Sequence, residues 1–461
     1  MMIKKYIGDR QFYRRVLTVA LPIIVQNGIT NFVSLLDNIM VGQVGTVQMS
    51  GVAIVNQLLF VYNLCIFGAV SGAGIFTAQY YGSDNHKGIR HTFRFKLMVG
   101  ALLTAAGVAL FLFAGKPLIQ LYLQGEGAPE DALKTLAFGW EYLLVMLWGL
   151  PAFALGTAYS STLRESGQTM IPMVAGICAV VVNLILNYLL IFGHFGFPIM
   201  GIRGAALATV ISRYVELMIV SVWTHTHQKN NPFIKGAYRS MHVPAQLLGQ
   251  IMVKGIPLLI NEALWASGMA ILSQCYSTRG LDVVAAQNIS STIYNLSSVI
   301  FLSMGNAIGI IIGQMLGSGR SEAEVRETDR KLIFTSVISC LALGALLASL
   351  SGIFPKIYNT TESVRSLAST FICICALMMP FNAYTNAAYF TLRSGGKTLV
   401  TFLFDSCYVW VVCVPLAFIL SRFTNISIIA LYVICQSLDI VKSAIGAFMI
   451  RQGSWIQNLA E

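Results

Sequence analysis

Six carboxylates interrupt the long apolar runs of this 461-residue chain: Asp37, Glu141, Glu216, Glu262, Asp405 and Asp439. A charge in hydrocarbon costs about 2.5–3.5 kcal/mol or more, so each needs a neutralising partner or a task. Asp37 ends a polar stripe of Asn27, Asn31, Ser34 and then Asp37 or Asn38, whose spacing puts it on one helical face. Such a face lines a cavity or packs on another polar helix. Asn183 and Asn187, one turn apart on a later run, reach a similar depth. Glu262 lies near the inner end of its run, and Trp265, Met269 and Ser273 continue its face. An anion flanked by an aromatic ring and a thioether can receive an organic cation through charge and cation–π contact. Asp405 starts another run at nearly the same depth, so Glu262 and Asp405 can share one pocket, and two carboxylates so close favour proton coupling. The plainer role for Asp405 is a hydrogen-bonded helix start. Arg213 with Glu216, and Asp439 with Lys442, are spaced to neutralise each other within one helix. Glu141, beside Trp140, reads as interfacial. The acids left without a partner are then Asp37, Glu262 and Asp405.

These residues need helices to hold them. Apolar residues make up 56% of the chain and charged ones 11%, against about 25% charged in soluble domains. Twelve runs can cross roughly 30 Å of hydrocarbon: about 16–41, 52–80, 93–114, 136–160, 170–193, 204–224, 255–277, 283–314, 332–353, 366–391, 398–421 and 427–450. With both termini placed in the cytoplasm, 21 of the Lys and Arg residues fall inside and seven outside, a positive-inside bias. That bias accounts for the net charge of +11 without nucleic acid. The nine cysteines sit in apolar runs without metal spacing and read as small buried hydrophobes. His225 and His227 open the longest loop, about 225–254, where a metal site is not expected. Asn382, in a stripe with Met378, Phe381, Thr385 and Tyr389, matches polar and aromatic stripes on the second and eighth runs. Such mixed linings suit promiscuous amphiphiles.

The runs form two copies of one unit. Residues 22–83 recur without a gap 235 positions later: Pro22 falls on Pro257, Gly45 on Gly280, Gln79 on Gln314 and Gly82 on Gly317. A second block repeats at an offset of 229, matching Pro151 and TLRESGQT at 162–169 to Pro380 and TLRSGGKT at 391–398. Six spans per copy is an even number, so both copies point the same way, related by a pseudo-two-fold axis along the membrane normal. The expected fold is an all-α membrane protein of twelve transmembrane helices in two six-helix lobes. The N-lobe covers 1–225, a cytoplasmic linker 226–253 and the C-lobe 254–461. Pro22, Pro151, Pro257 and Pro380 are the repeat-matched hinge candidates.

LPIIVQNGITNFVSLLDNIMVGQVG and AQYYGSDN in the first copy, IGQMLGSGR in the second, the paired TLRxxGxT turns and residues 183–213 together resemble the multidrug and toxic compound extrusion (MATE) family. The resemblance covers essentially the whole chain. It implies an antiporter that exports cationic amphiphilic compounds against inward protons or sodium. It also groups Asp37 with Asn183 and Asn187 as a cation site. In several relatives one of the two fifth-helix positions is an acid; here Asn187 leaves a single carboxylate and keeps the coupling ion open, with sodium at Asp37 the one metal entertained. No cofactor is expected, and partners are cationic small molecules, the coupling ion and the bilayer. The expected form is a monomer in a prokaryotic cell membrane. A lipid-linked glycan flippase is the alternative; such proteins carry cationic cavities, whereas the unpaired charges here are acidic. An enzyme is disfavoured, since neither HExxH nor a Walker A sequence occurs.

Overall fold

A computed structural model describes residues 6–123 and 129–460, apart from the side chains of Leu35 and Pro129. Lys4 and Lys5, counted in the charge bias, and the middle of the 121–131 turn lie outside the described residues. Among those described, every regular element is helical. The first copy contains α1 (Arg10–Gly42), α2 (Thr46–Gly82), α3 (His86–Tyr122), α4 (Pro129–Met146), α5 (Gly149–Glu165), α6 (Met170–Phe192) and α7 (Ile202–Thr226). The second contains α8 (Ala245–Ser277), α9 (Leu281–Gly317), α10 (Glu322–Leu350), α11 (Glu362–Ser394), α12 (Thr398–Phe402), α13 (Val414–Phe423) and α14 (Ile428–Gln452). Between α12 and α13, Leu403–Cys407 and Val409–Cys413 wind as π-helix, so 398–423 is one continuous span.

Eleven helices are long and apolar enough to cross a membrane, and α4 with α5, bent by 48° at their junction, makes a twelfth. The break has a local cause. Pro151 has no N–H to give the Leu147 carbonyl, and Gly149 beside it weakens the turn, so the ladder parts at Leu147–Trp148. Its repeat partner Pro380 follows Met378 and Met379, and α11 runs through it unbroken. Pro22 and Pro257 likewise lie inside α1 and α8.

The duplication reaches the backbone. Gly45 and Gly280 both have positive φ (149° and 122°), as do Asp84 and Gly319 (55° and 66°) and Gly167 and Gly396 (77° and 75°). Each pair is separated by one of the two repeat offsets. Turns of the same left-handed geometry therefore join corresponding helices.

The chain divides into two compact units: an N-terminal one of Val25–Thr77 and Asn85–Gly255, and a C-terminal one of Met1–Ile24, Ala78–Asp84 and Ile256–Glu461. The start of α1 and the last turn of α2 thus group with the second copy, and the segment expected as a linker groups with the first. That segment is docked: Arg94 on α3 donates to the carbonyls of Gly236, Ala237 and His242 at 2.9, 2.8 and 3.1 Å. The N-terminal core surrounds Val55, Ile66, Leu143, Leu150 and Ala206; the C-terminal core surrounds Ala286, Phe371 and Leu431.

Within the C-terminal unit the ends of α2 and α9 cross reciprocally. A Cβ on Gly82 would strike the Gln314 backbone, and one on Gly317 would strike the Gln79 backbone. Since Gly82 and Gly317, and Gln79 and Gln314, are repeat mates, a local two-fold axis relates the two halves of this contact. Gln79 itself is buried, donating to the Ser394 and Gln457 carbonyls at 2.9 and 3.2 Å and accepting from Leu459 N at 2.6 Å.

Candidate functional site

The N-terminal unit gathers the polar residues that spacing and depth had singled out. Asp37 comes from α1, while Asn183 and Asn187, one turn apart, come from α6. Asn187 Nδ2 donates to Asp37 Oδ1 at 2.6 Å and to Asn183 Oδ1 at 3.1 Å. Turned by half a rotation, the Asn183 amide nitrogen lies 3.0 and 3.1 Å from the two Asp37 oxygens. Thr209, on α7, closes the group at 3.3 Å from Asn183 Nδ2. Asn183 and Asn187 are buried, and Asn187 Oδ1 has no hydrogen-bond partner among the described residues. One carboxylate, two amide oxygens and a hydroxyl form a set of hard oxygen donors, suited to a proton or a small hard cation. Among the described residues no cluster of three or more His, Cys, Asp or Glu could hold a metal ion.

The C-terminal unit centres on Asp405, in the first π-helical segment. The unpaired state expected for this acid is not what the fold provides. Lys442 Nζ of α14 meets Asp405 Oδ1 at 2.7 Å, and Asn261 Nδ2 of α8 meets Oδ2 at 3.0 Å. Asn261 is locked in turn, its Oδ1 accepting from Ser406 Oγ at 2.7 Å and its backbone carbonyl from the same hydroxyl at 2.8 Å. Lys442 also lies 5.4 Å from the Phe404 ring centroid and 6.0 Å from that of Tyr408.

Lys442 therefore makes its direct ion pair with Asp405, while Asp439, the partner expected from spacing, stays within electrostatic reach of it. Reaching across to the π-segment removes two charges from hydrocarbon together and gives the ammonium aromatic walls as well. Arg213 and Glu216 make no close ion pair among the described residues, but Glu216 lies within electrostatic reach of both Arg164 and Arg213. The Arg213 guanidinium stacks 5.0 Å from the Phe153 centroid, and its Nη1 has no hydrogen-bond partner among the described residues. Glu141 does pair, with Arg203, whose side chain is 61% exposed, which fits an interfacial place.

Glu262 follows Asn261 on α8. It is half-buried and lies within electrostatic reach of the Arg393 guanidinium and the Asp405 carboxylate. Trp265 and Met269, on the same helix, are exposed at 40% and 44%. Asn382 on α11 bonds instead to Tyr294 OH at 3.0 Å. The contacts around Asp405 thus run through Asn261 and Lys442, not directly to Glu262 or Asn382. A buried pair that spacing did not reveal, Lys96 with Glu165 at 2.5 Å, lies in the N-terminal unit, where Lys96 also bonds Ser161 and Thr162 at 3.1 Å each. A cavity of about 460 Å³ in the C-terminal unit, lined by Asp329, Arg330, Tyr384 and Arg451 among others, takes in none of the nominated residues.

A family model described as MatE matches residues 22–189 and 257–419, one stretch in each copy. A Thermotoga maritima protein described as a probable multidrug resistance protein NorM is 25% identical over 448 residues, covering 96% of this chain and 93% of its own. A Shewanella oneidensis protein of the same description is 27% identical over 413 residues, covering 88% and 87%. Among solved structures, one described as MATE in complex with MaL6 superposes with a TM-score of 0.86 at 17% identity over 98% of each chain. Another, described as the outward-facing conformation of a multidrug resistance MATE family transporter of the MOP superfamily, gives 0.85 at 17% over 98% of each. At that identity the structures speak to fold alone: all-helical and many-spanned.

Proposed function

The chain belongs to the MatE family, and on that premise we propose that it is a secondary multidrug exporter. It exchanges cationic amphiphilic compounds for protons or sodium through alternating access of two lobes. The observation that carries this reading is the Asp37 carboxylate, held by Asn187 at 2.6 Å inside an apolar helix bundle. In that setting the carboxylate is the group able to take up and release a proton, or to supply the charge that sodium needs. A proton neutralises it with one acid. Sodium would have one negative charge and neutral oxygens, so it should bind less tightly than at a two-acid site.

Glu262 receives the drug cation or the coupling proton. Its support is a half-buried carboxylate within electrostatic reach of both Arg393 and Asp405, at the repeat position where the first copy has neutral Asn27. Asp405, Trp265, Met269 and Asn382 complete this C-lobe set, and Pro22, Pro151, Pro257 and Pro380 are the hinge positions for alternating access. The lobes are related by rotation about the membrane normal, matching Asp37 to Leu272 and Glu262 to Asn27. Both termini lie in the cytoplasm of a monomer in the cell membrane.

The test is cation efflux from proteoliposomes under separately imposed proton and sodium gradients. Export driven by one gradient identifies the ion; no cation export under either removes the reading. Arg213 and Lys442 are intramembrane cations of the kind a lipid-linked glycan flippase would need. The engagement of Lys442 by Asp405 argues against that use, and a lipid-scrambling arm in the same vesicles separates the two.

A further inference from the structure

We infer that Lys442 is a built-in cation that an incoming amphiphilic ammonium compound must displace from Asp405, so that the lysine sets affinity and selectivity in the C-terminal unit. This deepens the exporter reading and rests on it. Asp405 does not need the lysine to stay in place. Its second oxygen is bound by Asn261 at 3.0 Å, and Asn261 is fixed by Ser406. What the lysine occupies is a place built for a cation: one carboxylate oxygen at 2.7 Å and the Phe404 and Tyr408 rings 5.4 and 6.0 Å away. Rings and a single carboxylate suit a weakly hydrated organic ammonium better than a small metal ion, which demands several oxygens. The pair is not sealed, since the Asp405 and Lys442 side chains remain 18% and 10% accessible.

Two further observations favour a ligand role over a stabilising one. The repeat mate of Asp405 is Gly176, and a Cβ there would meet Gln26, the mate of Asn261, at 2.7 Å. The same helix–helix contact therefore exists in the first copy with no acid in it. A buried ion pair is also a weak source of stability compared with apolar packing. The carboxylate further sits in a π-helical segment, a winding found mostly at functional sites and an awkward one to keep for packing alone.

Competition inside the site has an arithmetic consequence. If the lysine holds the carboxylate nine-tenths of the time, a cation binds about tenfold more weakly than to the bare site. The test uses ethidium and tetraphenylphosphonium binding to the purified full chain at fixed pH. Lys442→Met should tighten both by about tenfold or more, and adding Asp405→Asn to that variant should abolish the gain. A folded Lys442→Met protein whose affinities stay within about twofold of the parent would overturn the inference. A second arm needs no variant: the Lys442 amine of the parent protein is labelled with an amine-selective reagent and read by peptide mass spectrometry. Its labelling should rise as tetraphenylphosphonium saturates; an unchanged or falling rate overturns the inference. A protein that exports cations yet fails both arms loses only this inference, whereas one that exports none loses the exporter reading itself.

Discussion

Gln26 on Gly176 in the first copy, and Asn261 on Asp405 in the second, are one contact written twice. The helices meet at the same repeat positions, with a carboxamide on the α1 or α8 side each time. In the first copy that carboxamide accepts from Arg164 at 2.6 Å and faces a glycine. In the second it holds a carboxylate whose other oxygen binds a lysine. The Asp37 group belongs to the first copy alone, since the residue 235 positions later is Leu272. Duplication has supplied two matching frames, and chemistry has been placed at different heights in each. The frames are therefore cheap to compare: any property of Asp37 or Asp405 that the mate lacks cannot be a requirement of the fold.

The largest test of that contrast removes the carboxylate and leaves the lysine. Asp405→Asn buries an uncompensated ammonium and should lower stability by about 3 kcal/mol, read as a lowered thermal midpoint in detergent. Unchanged unfolding would mean that the pair is no more than a loose surface contact. Next comes Asp37→Asn, close in shape but unable to exchange a proton or supply charge. Gradient-driven efflux should fall by roughly 100-fold, about 2.7 kcal/mol, with a nearly unchanged thermal midpoint. Transport at the parental rate would remove Asp37 from coupling. Glu262→Gln should reduce cation export by roughly tenfold and flatten its pH profile, because the first copy tolerates a neutral residue there. Normal export at every pH would return Glu262 to a packing role. The smallest effect should be symmetric. Gly167→Ala and Gly396→Ala, at φ of 77° and 75°, should each cost about 1 kcal/mol, and clearly unequal losses would show that the matched turns bear different loads.

Much of this was legible in the chain. Ungapped recurrence and run length point to twelve spans in two copies, and the family resemblance, together with similar depth along the spans, groups Asp37 with Asn183 and Asn187. The partner of Asp405 was not legible, because sequence spacing exposes neighbours on one helix and not those across a gap. Asp439, three residues from Lys442 on one helix, is the neighbour that spacing exposes. The π-winding at 403–413 was hidden for a related reason: each π turn keeps an extra residue that no local sequence signal announces. Pro151 and Pro380 looked alike as kink sites; the adjacent Gly149 was the signal that separated them, and it stood in plain view.

The glycine crossing of α2 and α9 has an electrical consequence. A seam in which backbone meets backbone, with Gly82 and Gly317 each clearing the other copy's chain, leaves little room for a file of water at those two positions. On the exporter reading the carrier must not short-circuit its ion gradient, and we infer that this seam serves as its insulation. Prising it open with Gly317→Ala should therefore appear as passive proton leak into empty vesicles, with no substrate present; vesicles as tight as the parent's would show that the seam carries no such duty.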